Sequence, residues 1–84
     1  MEKPPPDTTI ADNVRAELAR RQVSNSALAE LLGLSLSAVS RRTRGETPFR
    51  DWELKAIADH LGVPVATLFK KRYPGMRVGL YRTE

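Results

Sequence analysis

Between residues 9 and 69 the apolar positions recur at three- and four-residue intervals, the spacing of helices that bury one face. Ile10, Val14 and Leu18 form the first stripe and predict a helix from about Thr9 to between Arg20 and Gln22, where basic residues complement the helix dipole. Leu28, Leu31 and Leu32 form the second stripe, on a helix that Ser24 or Asn25 can cap and Gly33 can end. Ser35 is placed to cap a third helix, with Leu34 and Val39 turned back onto Leu28 and Leu32. Gly45 is placed to stop it, and Pro48 forbids its continuation. Trp52, Leu54, Ile57, Ala58 and Leu61 predict a fourth helix from about Arg50 to His60, ended by Gly62. Val63 and Pro64 open a short fifth helix through Leu68 and Phe69, since proline is tolerated in a first turn.

The two ends of the chain break this pattern. Residues 1–8 hold Pro4-Pro5-Pro6 and no apolar anchor, which predicts a disordered or polyproline-II arm. Residues 9–73 then make one domain, and residues 74–84 a tail. After the turn signal Tyr73-Pro74-Gly75, residues 76–82 alternate apolar with mostly polar side chains, a strand pattern. A lone strand is unstable, so either Met76, Val78 and Leu80 pair with a second copy in a homodimer, or the tail is a flexible basic arm.

Charge narrows the choice of partner. The 84 residues carry a net charge of +4, with a pI near 10.0, which favours a polyanion. The excess is local: residues 41–50 hold four arginines and one glutamate, and residues 70–82 hold five bases and no acid. There is no cysteine, hence no disulfide and no thiolate metal site. His60 is the single histidine, and no carboxylate cluster accompanies it, so no metal, cofactor or catalytic role is expected. No apolar run approaches the roughly 20 residues of a membrane span, and no signal-peptide pattern opens the chain, so a cytoplasmic location is expected.

Two short helices joined at Gly33 can place the second in a DNA major groove. Leu28-Ala29-Glu30-Leu31-Leu32-Gly33-Leu34-Ser35, then Val39-Ser40-Arg41 and Gly45, resembles the Xre/Cro-type helix-turn-helix family of phage and bacterial repressors. Residues 54–64, ending at Leu68-Phe69, extend the likeness, which covers about two thirds of the chain. The resemblance implies an all-α, compact five-helix repressor-like domain, usually dimeric, that binds operator DNA. In this chain the fold would add a short C-terminal strand or extended tail. The resemblance also implies that Leu36, Ser37 and Arg41 meet base edges, with Ser40 close by. Ser24 and Asn25 match positions that hold one phosphate, and Thr47 and Arg50 match a second phosphate-contacting region.

Each of these residues also has a plainer reading. Arg41 is suited to guanine through paired donors, or is a surface cation. Leu36 meets a thymine methyl or is partly buried, and Ser37 and Ser40 either touch bases or are small residues that permit close approach. Arg44 is expected on phosphate rather than bases. Two positions depart from the family. Arg42 stands where an apolar residue is usual, so its cation is expected to turn outward, towards phosphate or over Trp52. Thr43 and Leu18 replace a Glu and an Arg that relatives often pair. The function expected is a Cro-like repressor. Alternatives are the DNA-binding antitoxin of a toxin–antitoxin pair, a protein-interaction adaptor and a recombination accessory protein.

Overall fold

A computed structural model describes residues 8–71. Within that range the chain forms α1 (Thr9–Arg20), α2 (Asn25–Leu32), α3 (Leu36–Thr43) and α4 (Asp51–Leu61), followed by a 3-10 segment, Val65–Phe69. The fifth helix is thus not an α-helix. After extended Pro64, five residues make little more than one turn, and Thr67 N–H donates to the Pro64 carbonyl at 2.9 Å, three residues back. No strand occurs among the described residues. The expected strand, Met76, Val78 and Leu80 included, and residues 1–7 of the expected arm lie outside them, while Thr8, which the sequence pattern places in that arm, is half-buried at the N-cap of α1.

The local signals act where the sequence placed them. Ser24 Oγ accepts from Ala27 N–H at 3.0 Å, and Ser35 Oγ from Ala38 N–H at 3.1 Å. Each N-cap thereby satisfies a backbone donor that has no partner within its helix. Gly33 ends α2 with φ of 68°, so the chain can reverse directly into α3.

The core gathers Val14 and Leu18 of α1, Leu28, Ala29 and Leu32 of α2, Val39 of α3, and Leu54, Ile57, Ala58 and Leu61 of α4. Leu68 closes it from the 3-10 segment. α2 packs on both α3 and α4, while α1 packs on α3 and on the 3-10 segment. Two expected core members stand outside: Trp52 is 54 % exposed and Leu31 is 38 % exposed. Each sits beside the buried arc of its helix rather than within it.

Polar ties fix how these elements lie. Asn13 is buried, and its Nδ2 donates to the carbonyls of Leu68 at 3.0 Å and Lys70 at 2.7 Å, joining α1 to the end of the 3-10 segment. Arg21 Nε donates to the Leu61 carbonyl at 3.1 Å, satisfying a free acceptor at the end of α4. Glu17 is buried among Arg20 and Arg21. Burial raises its pKa, but hydrogen bonds and charge from both guanidiniums outweigh this and leave it below the usual carboxylate range.

Gly45, just past α3, has φ of 82°, and a Cβ there would lie 2.9 Å from Thr8 Cγ2. Gly33 shares the left-handed backbone but has open space around it. Gly33→Ala should therefore cost about 1–2 kcal/mol, the strain of a side chain in that conformation. Gly45→Ala should cost more, because Thr8 must also move. Thermal melts of the two variants test the order, and equal losses would show that Thr8 yields freely.

Candidate nucleic-acid interface

α3 buries Val39 and Thr43 and turns the opposite side to solvent. Leu36 is 51 % exposed, and Ser37 and Arg41 are exposed one turn apart. Arg41 Nη1 donates to Ser37 Oγ at 3.2 Å, a contact that orients the guanidinium without cancelling its charge. Ser40 is half-buried, and its carbonyl accepts from Thr43 Oγ1 at 3.2 Å and from Arg44 N–H at 3.1 Å. Leu36, Ser37 and Arg41 are therefore the more open members of the base-contacting set.

The loop after α3 folds back on the helix end. The Arg41 carbonyl accepts from Glu46 N–H at 2.9 Å and Thr47 N–H at 3.3 Å, which draws residues 46–47 to the C-terminal end of α3. Arg44 Nε donates to Glu46 Oε2 at 2.8 Å, and Nη2 to Oε1 at 3.3 Å, in an exposed pair. That contact and its charge hold the Glu46 carboxyl below its ordinary range and raise Arg44. Arg50 is exposed at the N-cap of α4, and Thr47 is half-buried. At the start of α2, Ser24 is exposed with its hydroxyl engaged as the cap, and Asn25 is half-buried.

Arg42 does not turn outward over Trp52. Its side chain is 12 % exposed, its Nε donates to Glu53 Oε1 at 3.0 Å, and its Nη1 donates to the Ala38 carbonyl at 3.3 Å. Glu53 is 1 % exposed, and the same oxygen accepts from Arg50 N–H at 2.9 Å, closing the first turn of α4. Arg42 is consequently the least available of the residues expected on phosphate. A partner at Glu53 explains how a cation can stand at a position for which the resemblance to Xre/Cro-type repressors implied an apolar side chain. The sequence held one hint of it, a glutamate three residues past the start of a helix. A second tie also escaped sequence reasoning: Arg15 of α1 donates from Nη1 to the Thr43 carbonyl, at the base of α3.

These features describe an outward helix whose open face carries Leu36, Ser37 and Arg41, a basic loop at its end and internal ties that set its roll. The model of the BetR domain family matches residues 6–82, nearly the whole chain. The chain belongs to that family. BetR domains are small, helix-turn-helix-like and DNA-binding, so this chain is a DNA-binding domain of the regulatory kind. Neither the characterised proteins nor the solved structures contain a match to it. As in the sequence, so in the described residues of this BetR domain: no helix is long and apolar enough to cross a membrane.

Arg42→Leu removes one member of a buried ion pair and leaves Glu53 charged without its partner. It should cost about 3–5 kcal/mol. Adding Glu53→Gln removes that charge while keeping an acceptor for Arg50 N–H, and should recover much of the loss. Denaturant unfolding of the single and double variants checks this; a neutral Arg42→Leu would show that Arg42 is dispensable.

Proposed function

We propose that this BetR domain is a sequence-specific transcriptional regulator of the Cro-like repressor kind, non-catalytic, which binds a palindromic operator as a dimer with α3 in the major groove. The observation that carries the reading is the split of α3 into a buried side, Val39 and Thr43, and an open side, Leu36, Ser37 and Arg41. A helix held from behind and bare in front can enter the groove without repacking the core. Arg41 supplies paired donors for a guanine edge, and Leu36 an apolar surface for a thymine methyl. Arg44, Arg50 and Thr47, with the capped start of α2 at Ser24 and Asn25, face the phosphates. Selection of bound duplexes from a random pool, at stated salt, tests the proposal; a palindromic consensus is expected, and unselective recovery would overturn it.

Arg41→Ala should lose about 1–3 kcal/mol of discrimination at one base pair of each half-site while the fold survives. Competition binding with single-substituted duplexes reads this. Equal weakening on every duplex would move Arg41 to the phosphate contacts.

The dimer is assigned to Met76, Val78 and Leu80, whose alternation suits pairing of two identical strands about a two-fold axis. Such a dimer would hold its α3 helices about 34 Å apart, one turn of DNA, or a multiple of that. Deleting residues 75–84 should leave a folded monomer that binds a palindromic site weakly. Sedimentation decides the matter: a dimer that survives the deletion at micromolar concentration rules out pairing through the tail.

A further inference from the structure

The loop between α3 and α4, residues 44–50, contains one acid, and its position is unexpected for a face that meets phosphate. Glu46 sits where its own N–H is bound to the Arg41 carbonyl, at the C-terminal end of α3, and both its carboxylate oxygens accept from Arg44. The pair is exposed, with side-chain accessibilities of 57 % for Arg44 and 53 % for Glu46, so packing does not require it. An exposed pair of this kind adds little to stability. Its electrostatic effect on a nearby polyanion is larger, because the Glu46 carboxylate lowers the net positive charge of this surface by one.

We propose that Glu46 is an internal counter-ion that limits the attraction of this surface for the DNA backbone, leaving base reading to Arg41. This inference rests on the reading that α3 and the loop after it face DNA. A phosphate approaching Arg44 must displace a carboxylate already held in the same two-donor geometry, so the contact yields little net gain. Arg41 donates to the neutral Ser37 hydroxyl, and its donors are not occupied by a carboxylate as those of Arg44 are. Arg44 and Arg41 together keep Glu46 ionised, so the restraint is constant around neutral pH. The consequence is weaker sequence-independent binding, and less of the protein lost to the many non-specific sites that compete with an operator.

The test is Glu46→Gln, which keeps an acceptor but removes the charge. Binding is measured from about 50 to about 200 mM salt on a mixed-sequence duplex and on the duplex selected from a random pool. The variant should bind both duplexes a few-fold more tightly at the low end. The slope of log affinity against log salt should steepen by about 0.9, the release expected for one further phosphate contact. Arg44→Ala in the Glu46→Gln background should restore the wild-type slope. An unchanged slope in Glu46→Gln overturns the proposal by placing Glu46 outside the interface. Loss of affinity confined to the selected duplex overturns it by making Glu46 a base reader. A double variant that stays steeper than wild type overturns it by showing that the released charge is not Arg44. Failure of the underlying reading looks different: wild-type protein would then bind neither duplex, or Arg41→Ala would leave its preference between them unchanged.

Discussion

Glu53 lies almost wholly out of solvent, and a carboxylate at that depth has to be satisfied where it stands. Arg42 and the first turn of α4 satisfy one oxygen, Oε1, joining the end of α3 to the start of α4, while Oε2 is buried without a hydrogen-bond partner among the described residues. Arg42 also bonds back to the Ala38 carbonyl, one turn earlier on its own helix. The Ala38 bond fixes the guanidinium against α3 itself, so rotation of α3 about its axis would break its contact with Glu53 of α4. Arg15 adds a second hold from α1, at the Thr43 carbonyl. The roll of α3 decides which side chains face outward, and so a bond in the interior sets the composition of the surface.

Buried apolar area alone would not give that roll. Val39 is the sole fully apolar anchor of α3 within the core, and one small branched side chain leaves a short helix free to turn. The polar ties are directional where hydrophobic contact is not. The same division recurs at the other end of the domain, where Leu68 is buried and the carbonyls around it are bound by Asn13. Such ties make the arrangement specific, and they carry the risk that losing one partner strands the other in the interior.

How much of this could be read from sequence follows from the range of the interactions. Ser24, Gly33, Ser35 and Gly62 act within three or four residues of themselves, and α1 to α4 begin and end close to where these signals put them. The apolar spacing of residues 65–69 suits an α-helix and a 3-10 segment alike, and only hydrogen-bond length in residues separates them. Arg42 with Glu53, and Asn13 with Leu68, are pairings across 11 and 55 residues, and composition cannot say which buried acid meets which cation. The expectation that Arg42 turns outward fails for the same reason, since its partner lies on another helix where no local pattern reveals it. Trp52 belongs by spacing to the apolar set of α4, a core or core-edge position, yet it stands past the packed arc and is exposed. Of the candidate site, the open positions Ser37 and Arg41 are legible from helical spacing, whereas the exposure of Leu36 is not, and the Arg44–Glu46 contact lies in a loop with no periodicity to fix it.

The arginines of the outer surface then differ in kind, although sequence presents them as one basic cluster. Arg41 is oriented by a hydroxyl and keeps its charge, and Arg44 is matched by a carboxylate. Arg50 contributes its backbone N–H to the interior while its side chain is exposed at the head of α4. A surface meant only to attract a polyanion gains nothing from neutralising one of its own cations. A surface meant to read a sequence does gain, because attraction to the backbone is the same at every site and lowers the fraction of protein found at the correct one. The pairing of Arg44 therefore favours a domain in which discrimination, rather than affinity alone, is under constraint.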